Sequence, residues 1–148
     1  MTFTEKQIVV VTAIIENHKG EILLLQRKPD VIRPNIWEDA GGRLKKNESM
    51  INGLKREILE ETGLQNYKII KAIATFPPNG ANGSKEKLGI TYWCKMLSQK
   101  EQIKLSTEHQ RYQWASLQEA RKMAGHKALK KHIGLLIAEK KSNNMEGK

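Results

Sequence analysis

The chain has a single cysteine, Cys94, among 148 residues. That excludes an internal disulfide and suits a reducing compartment such as the cytoplasm. Because Cys94 lies in an apolar run, its thiol reads as core rather than as a nucleophile. Long hydrophobic runs are missing too. The longest near the N-terminus, Ile8 to Ile15, is interrupted by Thr12 and is followed by no small-residue cleavage site. Neither a signal peptide nor a membrane span is expected. Internal repeats, low-complexity tracts and domain linkers are also lacking. A chain of this length then fits one domain with a sizeable core, which we place at residues 1–141, with 142–148 as a frayed tail.

Acidic residues are in short supply, 16 against 26 Lys and Arg, for a net charge of +10. Such a balance favours polyanionic partners, meaning nucleotides, phosphorylated metabolites or nucleic acid. Much of the excess is local. From Arg121 to Lys141 there are seven Lys or Arg and one Glu, a pattern that fits a solvated helix face at least as well as a binding patch.

Taken in order, Gln7 to Glu16 is rich in Val and Ile and reads as a strand. The turn Asn17-His18-Lys19-Gly20 leads into a second strand, Glu21 to Arg27, as a hairpin. Pro29 and Pro34 bracket a loop that delivers Trp37, Glu38 and Asp39 to Gly41-Gly42. Paired glycines allow a tight turn before a helix and let backbone atoms approach a ligand. A helix is expected from Asn47 or Glu48 to Gly63, a suitable residue just past a helix end. Gly53 within it costs about 1 kcal/mol relative to Ala and points to close packing against the sheet. Tyr67 to Phe76 and Lys87 to Met96 read as further strands, separated by the turn-rich loop Pro77 to Gly83. A short strand is expected near Tyr112 to Ala115. Ser116 with Glu119 makes a capping box for another helix, divided by Gly125 from Lys127 to Lys140. Strands on both sides of a helix, with helices at the end, give an α/β domain with a mixed sheet between helices.

The stretch that carries chemistry is Gly41 to Leu64, GGRLKKNESMINGLKREILEETGL. At about 100° per residue, Glu60 and Glu61 lie near −60° and +40° of Glu57, so three carboxylates share one face. Met50, Leu54, Ile58 and Ile51 fall at roughly 20°, 60°, 100° and 120° on the same wheel. Glu61 therefore projects inside the stripe expected to face the core. Carboxylates gathered at the edge of a core are costly unless a cation pairs with them. Hard divalent ions such as Mg²⁺ or Mn²⁺ take oxygen ligands of this type. Arg56, four residues before Glu60, is placed to hold that carboxylate.

The spacing Gly42, five residues, Glu48, seven residues, Arg56-Glu57-Ile58, one residue, Glu60-Glu61, one residue, Gly63-Leu64 resembles the signature of the Nudix hydrolases at every fixed position. The likeness extends to Leu24-Leu25-Gln26-Arg27, to Trp37 and to Glu108 six residues before Trp114, although only the signature itself is specific. The resemblance implies an α/β/α sandwich and hydrolysis of a nucleoside diphosphate linked to another group X, with Mg²⁺ or Mn²⁺ bound. It implies Glu57, Glu60 and Glu61 as metal ligands, with the Gly41 carbonyl contributing. Glu48 and Gly63 would be structural, and Arg56 would orient the glutamates. Glu61, Glu60 and Glu108 are the candidates for the base that takes a proton from water, with Glu61 first. Dimers are common in the family, so a homodimer is possible. One departure stands out: many members carry Pro before the glycine pair, where this chain has Ala40 preceded by Asp39.

Substrate identity is less legible. Arg27, Arg33, Lys45 and Lys46 are candidates to meet phosphates, beside Gly42, though each also fits a solvent-facing charge. Extended motifs for NADH or coenzyme A are not visible. Pro78, fifteen residues after Gly63, matches a proline spacing seen in ADP-ribose hydrolases only loosely. The reading favoured is a nucleoside triphosphate, oxidised or noncanonical forms included, converted to monophosphate and pyrophosphate. The alternatives are an ADP-ribose or other nucleotide-sugar pyrophosphatase, removal of pyrophosphate from RNA 5′ ends, and a non-catalytic nucleotide-binding module. Diphosphate isomerisation is disfavoured, because Cys94 does not fit the catalytic cysteine it needs.

Overall fold

The structure, a computed structural model, describes residues 7–77 and 86–146. Its centre is β1 (Gln7–Glu16), which pairs in parallel with β6 (Glu86–Met96) and antiparallel with β4 (Ala40–Arg43). β1 meets β2 (Ile22–Arg27) at Glu16 and Ile22, where the expected hairpin turn closes. Beyond that point β2 pairs with β7 (His109–Ala115) and with the two-residue β3 (Trp37–Glu38), while β5 (Tyr67–Phe76) borders β6. The result is one mixed seven-stranded sheet.

The apolar runs of β1 and β2 are continuous because both faces of the sheet are covered. Val11, Ala13 and Ile15 face one way with Leu23 and Leu25, and α1 (Met50–Thr62) closes that side through Leu54 and Ile58. Ile14, Ile22 and Leu24 face the other way, against α2 (Leu117–Met123) and α3 (Lys127–Glu146), where Leu129, Ile133 and Leu136 are fully buried. The expected α/β/α sandwich is thus present. Buried Glu16 locks α3 onto the sheet, accepting from Trp93 Nε1 at 2.9 Å and pairing with Lys140.

Four local expectations need correction. The glycine pair does not make a turn before the helix. It lies in β4, in register with Val11 and Thr12 of β1. α1 begins at Met50, not at Asn47 or Glu48, because Asn47 is left-handed (φ 64°) and Ser49 caps the helix by accepting from the Asn52 N–H. Met50 and Ile51, 42% and 39% exposed, lie outside the buried stripe, because the helix meets the sheet only from Gly53 onward. Among the described residues α3 extends as far as Glu146. Gly53 is needed for packing, as a Cβ there would lie 2.1 Å from Leu44 Cδ2 and 3.0 Å from Glu48 Oε1. That contact is with the segment leaving β4, not with the sheet itself. The loop expected at 77–83 falls, apart from Pro77, outside the described residues, and so does Pro78.

Candidate active site

The residues of the Gly41–Leu64 stretch converge because β4 and α1 sit side by side, and Arg56 is the hub of that contact. Its Nε and Nη2 donate to Glu48 at 2.7 and 2.9 Å, its Nη1 donates to Glu57 at 2.8 Å, and its Nη2 reaches the Arg43 carbonyl at 3.0 Å. Glu60, the partner expected from helix spacing, takes only a longer contact of 3.3 Å and leaves its side chain 52% exposed. Glu48 has the geometry of a structural clamp. It also accepts the Lys45 N–H at 3.0 Å, and the hydrogen bonds from Arg56 hold its carboxyl down at about 2. Gly63 ends the helix in a left-handed conformation (φ 75°), donating its N–H to the Leu59 carbonyl.

Glu61 and Glu57 face the glycine pair. Glu61, 8% exposed, accepts the Gly41 N–H at 2.7 Å. Burial pushes its pKa up to about 9 against that hydrogen bond, and the nearby charges of Glu38, Glu57 and Glu108 add to the rise. Glu57 is pushed up too, by burial, with Arg56 opposing. Its carboxylate lies over Gly42 so closely that a Cβ there would meet the carboxyl carbon at 2.5 Å. No three His, Cys, Asp or Glu side chains among the described residues are drawn into a metal-holding cluster.

Glu61 and the glycine pair open onto a cavity of about 630 Å³, which Glu57 and Glu60 do not line. Gly41, Gly42, Arg27, Arg33, Glu61 and Glu108 line it, whereas Lys45 and Lys46 do not. Arg33 and Glu108 are exposed at its rim. Arg27 is engaged, donating to Glu38 at 3.2 Å and to the Ile32 carbonyl at 2.7 Å, which holds the following loop over the opening.

Several wall residues were not singled out from sequence. Glu38 accepts from Arg27 and from His109 Nε2 at 2.8 Å. Burial opposes its ionisation, but the bonds from His109 and Arg27 outweigh burial and hold its carboxyl below the usual range. The His109 ring is buried, with Nδ1 3.2 Å from Ser106 Oγ. His126 and His132 enter from α3 and the turn before it. A Glu next to Trp37 and the glycines was the one local signal. The histidines arrive through the pairing of β7 with β2 and the docking of α3, which no spacing records. Asp39, noted from sequence as the departure before Ala40, is buried in this wall, and burial pushes its carboxyl up to about 7. Cys94 is core as expected, its thiol raised by burial to about 12.

A family model described as the NUDIX domain matches residues 6–134. A CTP pyrophosphohydrolase of Escherichia coli (strain K12) is 45% identical over 60 residues, 40% of this chain and 44% of that protein, so the chain matches under half of that relative's length. An asymmetrical bis(5′-nucleosyl)-tetraphosphatase of Rattus norvegicus is 27% identical over 117 residues, 78% of each chain. The crystal structure of a MutT protein from Methanosarcina mazei superposes with a TM-score of 0.70 at 29% identity, covering 95% of this chain and 99% of that one. With the family model spanning nearly the whole described domain and the sandwich matched from end to end, this chain belongs to the Nudix family.

Proposed function

We propose that the chain is a pyrophosphohydrolase that cleaves the diphosphate linkage of a nucleoside triphosphate, oxidised or noncanonical forms included, to a monophosphate and pyrophosphate. The observation that carries this reading is the meeting of Glu57 and Glu61 at Gly41-Gly42, where the glycines and Glu61 line a cavity rimmed by Arg33 and Glu108. The names of the two relatives, one acting on CTP and one on a dinucleoside tetraphosphate, support the shared linkage rather than one substrate.

The donor set fits a hard divalent ion, Mg²⁺ or Mn²⁺. All the groups are oxygens, Gly42 leaves room for the Glu57 carboxylate alone, and Glu61 is buried among other carboxylates. Glu57, Glu61 and the more exposed Glu60 would hold it with the Gly41 carbonyl. When bound, such an ion neutralises diphosphate charge and makes a water acidic enough to attack phosphorus. The protein's own groups do the rest. Arg56 fixes Glu57 and, through Glu48, the start of α1. Glu61 is first in rank to accept the water's proton, with Glu60 and, at the rim, Glu108 as the other candidates. Arg33 faces the cavity to meet phosphate, while Arg27 acts through Glu38.

The test is hydrolysis by the purified protein with Mg²⁺ or Mn²⁺ over nucleoside triphosphates, ADP-ribose, dinucleoside polyphosphates and triphosphorylated RNA. Triphosphate turnover is expected, and its loss in Glu60→Gln and Glu61→Gln with the fold retained. Full turnover in either variant would remove that residue from its role, and no cleavage across the panel would remove the enzyme reading. The basic α2–α3 segment keeps RNA as a second substrate. It would be marked by binding that weakens steeply with salt.

A further inference from the structure

His126 stands at the entrance to α3, and none of the motif residues accounts for it. Its carbonyl accepts the first bond of the helix, from the Lys130 N–H at 3.3 Å, and its Nδ1 accepts the Leu129 N–H at 3.2 Å. That second bond is a helix cap, made by an imidazole where Ser, Thr, Asp or Asn is usual. A backbone N–H only donates, so Nδ1 carries no proton and the one proton of the ring lies on Nε2. Burial acts in the same direction, lowering the pKa of the ring and keeping it neutral near pH 7. His132 differs, because its Nδ1 meets the Thr91 hydroxyl at 3.0 Å and Thr91 meets the Thr12 hydroxyl at 2.8 Å, contacts in which either partner can donate.

The second nitrogen of His126 is open. Among the described residues Nε2 has no hydrogen-bond partner, and no buried side-chain nitrogen or oxygen lacks one, so Nε2 is accessible on a ring that lines the cavity. The turn that carries it is pinned to the sheet. Gly125 donates its N–H to the Trp37 carbonyl at 2.8 Å, and a Cβ on Gly125 would lie 2.4 Å from Ile36 Cβ. Next to His126 the cavity is walled by rings. The charge of His126 bears on His132, whose ring lies 5.0 Å from that of Phe76 at 57°, and both line the cavity. Glu61 and the glycine pair hold the diphosphate in the reading above, which leaves this flat wall for the planar base.

On the triphosphate reading above, we infer that His126 reads the base, donating its Nε2–H to an exocyclic carbonyl oxygen, and so selects an oxo base, uracil or hypoxanthine, over its amino isostere, cytosine or adenine. The exocyclic atom is the one that projects furthest from the ring and the one that changes from acceptor to donor between the two members of each pair. An amino group there sets N–H against N–H. Histidine ordinarily escapes such a clash by moving its proton to the other nitrogen, but here that would strip the N–H of fully buried Leu129 of its partner. The helix cap therefore makes His126 a donor that cannot change role, and a fixed polar group discriminates more strongly than an adaptable one. A phosphate oxygen is the other acceptor within the chemistry of the site, because the charge of Arg33 also bears on His126, and the experiment separates the two.

The experiment compares isosteric bases, so that size is constant and only the exocyclic group changes. Binding of UMP, CMP, IMP and AMP, and of pyrophosphate as a probe without a base, is measured by calorimetry, which needs no turnover, and kcat/KM is measured for the matching triphosphates. Wild type is expected to favour the oxo member of each pair by about tenfold. His126→Thr keeps a capping oxygen and loses the donor. It should melt close to wild type, bring both ratios near one and leave pyrophosphate binding unchanged. His126→Asn caps through Oδ1 and offers an amide N–H from Nδ2, so it should recover part of the preference. Equal affinities in wild type, ratios unchanged in His126→Thr, or an equal loss for nucleotides and pyrophosphate, which marks a phosphate contact, would overturn the inference. Should His126→Thr melt far below wild type, the two wild-type pairs and His126→Asn still decide. Triphosphate hydrolysis without base selectivity would sink the inference and leave the hydrolase reading standing. Selective monophosphate binding without hydrolysis would do the reverse.

Discussion

Gly42→Ala separates the site from the fold, because the three atoms nearest the added methyl all belong to the Glu57 carboxylate. Gly42 does not adopt a positive φ, so Ala fits the backbone and the pairing with Val11 survives. The new Cβ would lie 2.5 Å from the carboxyl carbon of Glu57 and 2.6 Å from both its oxygens, where ordinary contact begins near 3.4 Å. The carboxylate must retreat by about 1 Å, and a misplacement of that size at a reacting centre costs on the order of 10²-fold in rate. The stability cost is small. Straining the Arg56–Glu57 hydrogen bond at 2.8 Å loses about 1 kcal/mol, and replacing Gly in a compatible conformation returns about 0.4–1 kcal/mol through the unfolded chain. Gly41→Ala is the contrast. There a Cβ would lie 2.3 Å from the Val11 carbonyl oxygen and 2.7 Å from Thr12 Cα, backbone atoms of the central strand that have nowhere to move. That variant should lose roughly 3 kcal/mol or more, or about 6–12 °C for a domain of this size. Steady-state hydrolysis of a triphosphate with Mg²⁺, read beside a circular dichroism melt, decides the matter. Gly42→Ala with turnover within threefold of wild type, or with a melting loss as large as that of Gly41→Ala, would refute the reasoning.

Glu48 gives a pH signature. Its folded pKa, held at about 2 by the hydrogen bonds from Arg56, lies below its ordinary value, so its contribution is present above about pH 4.5 and is lost as pH falls towards 2. The melting difference between wild type and Glu48→Gln should shrink over that window, and a difference that stays constant with pH would argue against the clamp. Arg56→Lys keeps the charge but not the planar fork that meets Glu48, Glu57 and the Arg43 carbonyl, so it should melt nearly as low as Arg56→Ala. Wild-type stability in Arg56→Lys would show that charge alone suffices. Leu129→Ala removes a fully buried side chain between α3 and the sheet and should cost about 2–5 kcal/mol by urea denaturation. A change under 0.5 kcal/mol would mean that α3 is not part of the core.

What could be read from the sequence follows from how local each piece of information is. The strands β1 and β2 were visible because a strand buried on both faces is a run of Val, Ile and Leu whatever its neighbours are. β6 and β5, the latter at the sheet edge and without a buried residue, showed instead through their β-branched and aromatic content. The signature residues were visible because helix periodicity alone puts Glu57 and Glu61 on one side of α1. Arg56 shows where that logic stops. Helix spacing assigned it to Glu60, whereas its strong partner is Glu48, eight residues back and just before the Ser49 cap of α1, where helix periodicity no longer applies. The cavity wall lay further out of reach. Thr12 and Thr91 are 79 residues apart, Thr91 and His132 another 41, and Glu38 and His109 meet across 71. Each pair exists only because the sheet registers β1 with β6 and β2 with β7, and because α3 docks on the face opposite α1. The signature glycines and glutamates thus lie in one contiguous strand and helix, whereas the rest of the cavity wall is spread over strands and helices that meet only in the folded chain. Asp39 shows the division at its sharpest, because it stands two residues before the glycine pair in sequence yet is buried in the cavity wall beside Glu38, where only the pairing of β3 with β2 puts it.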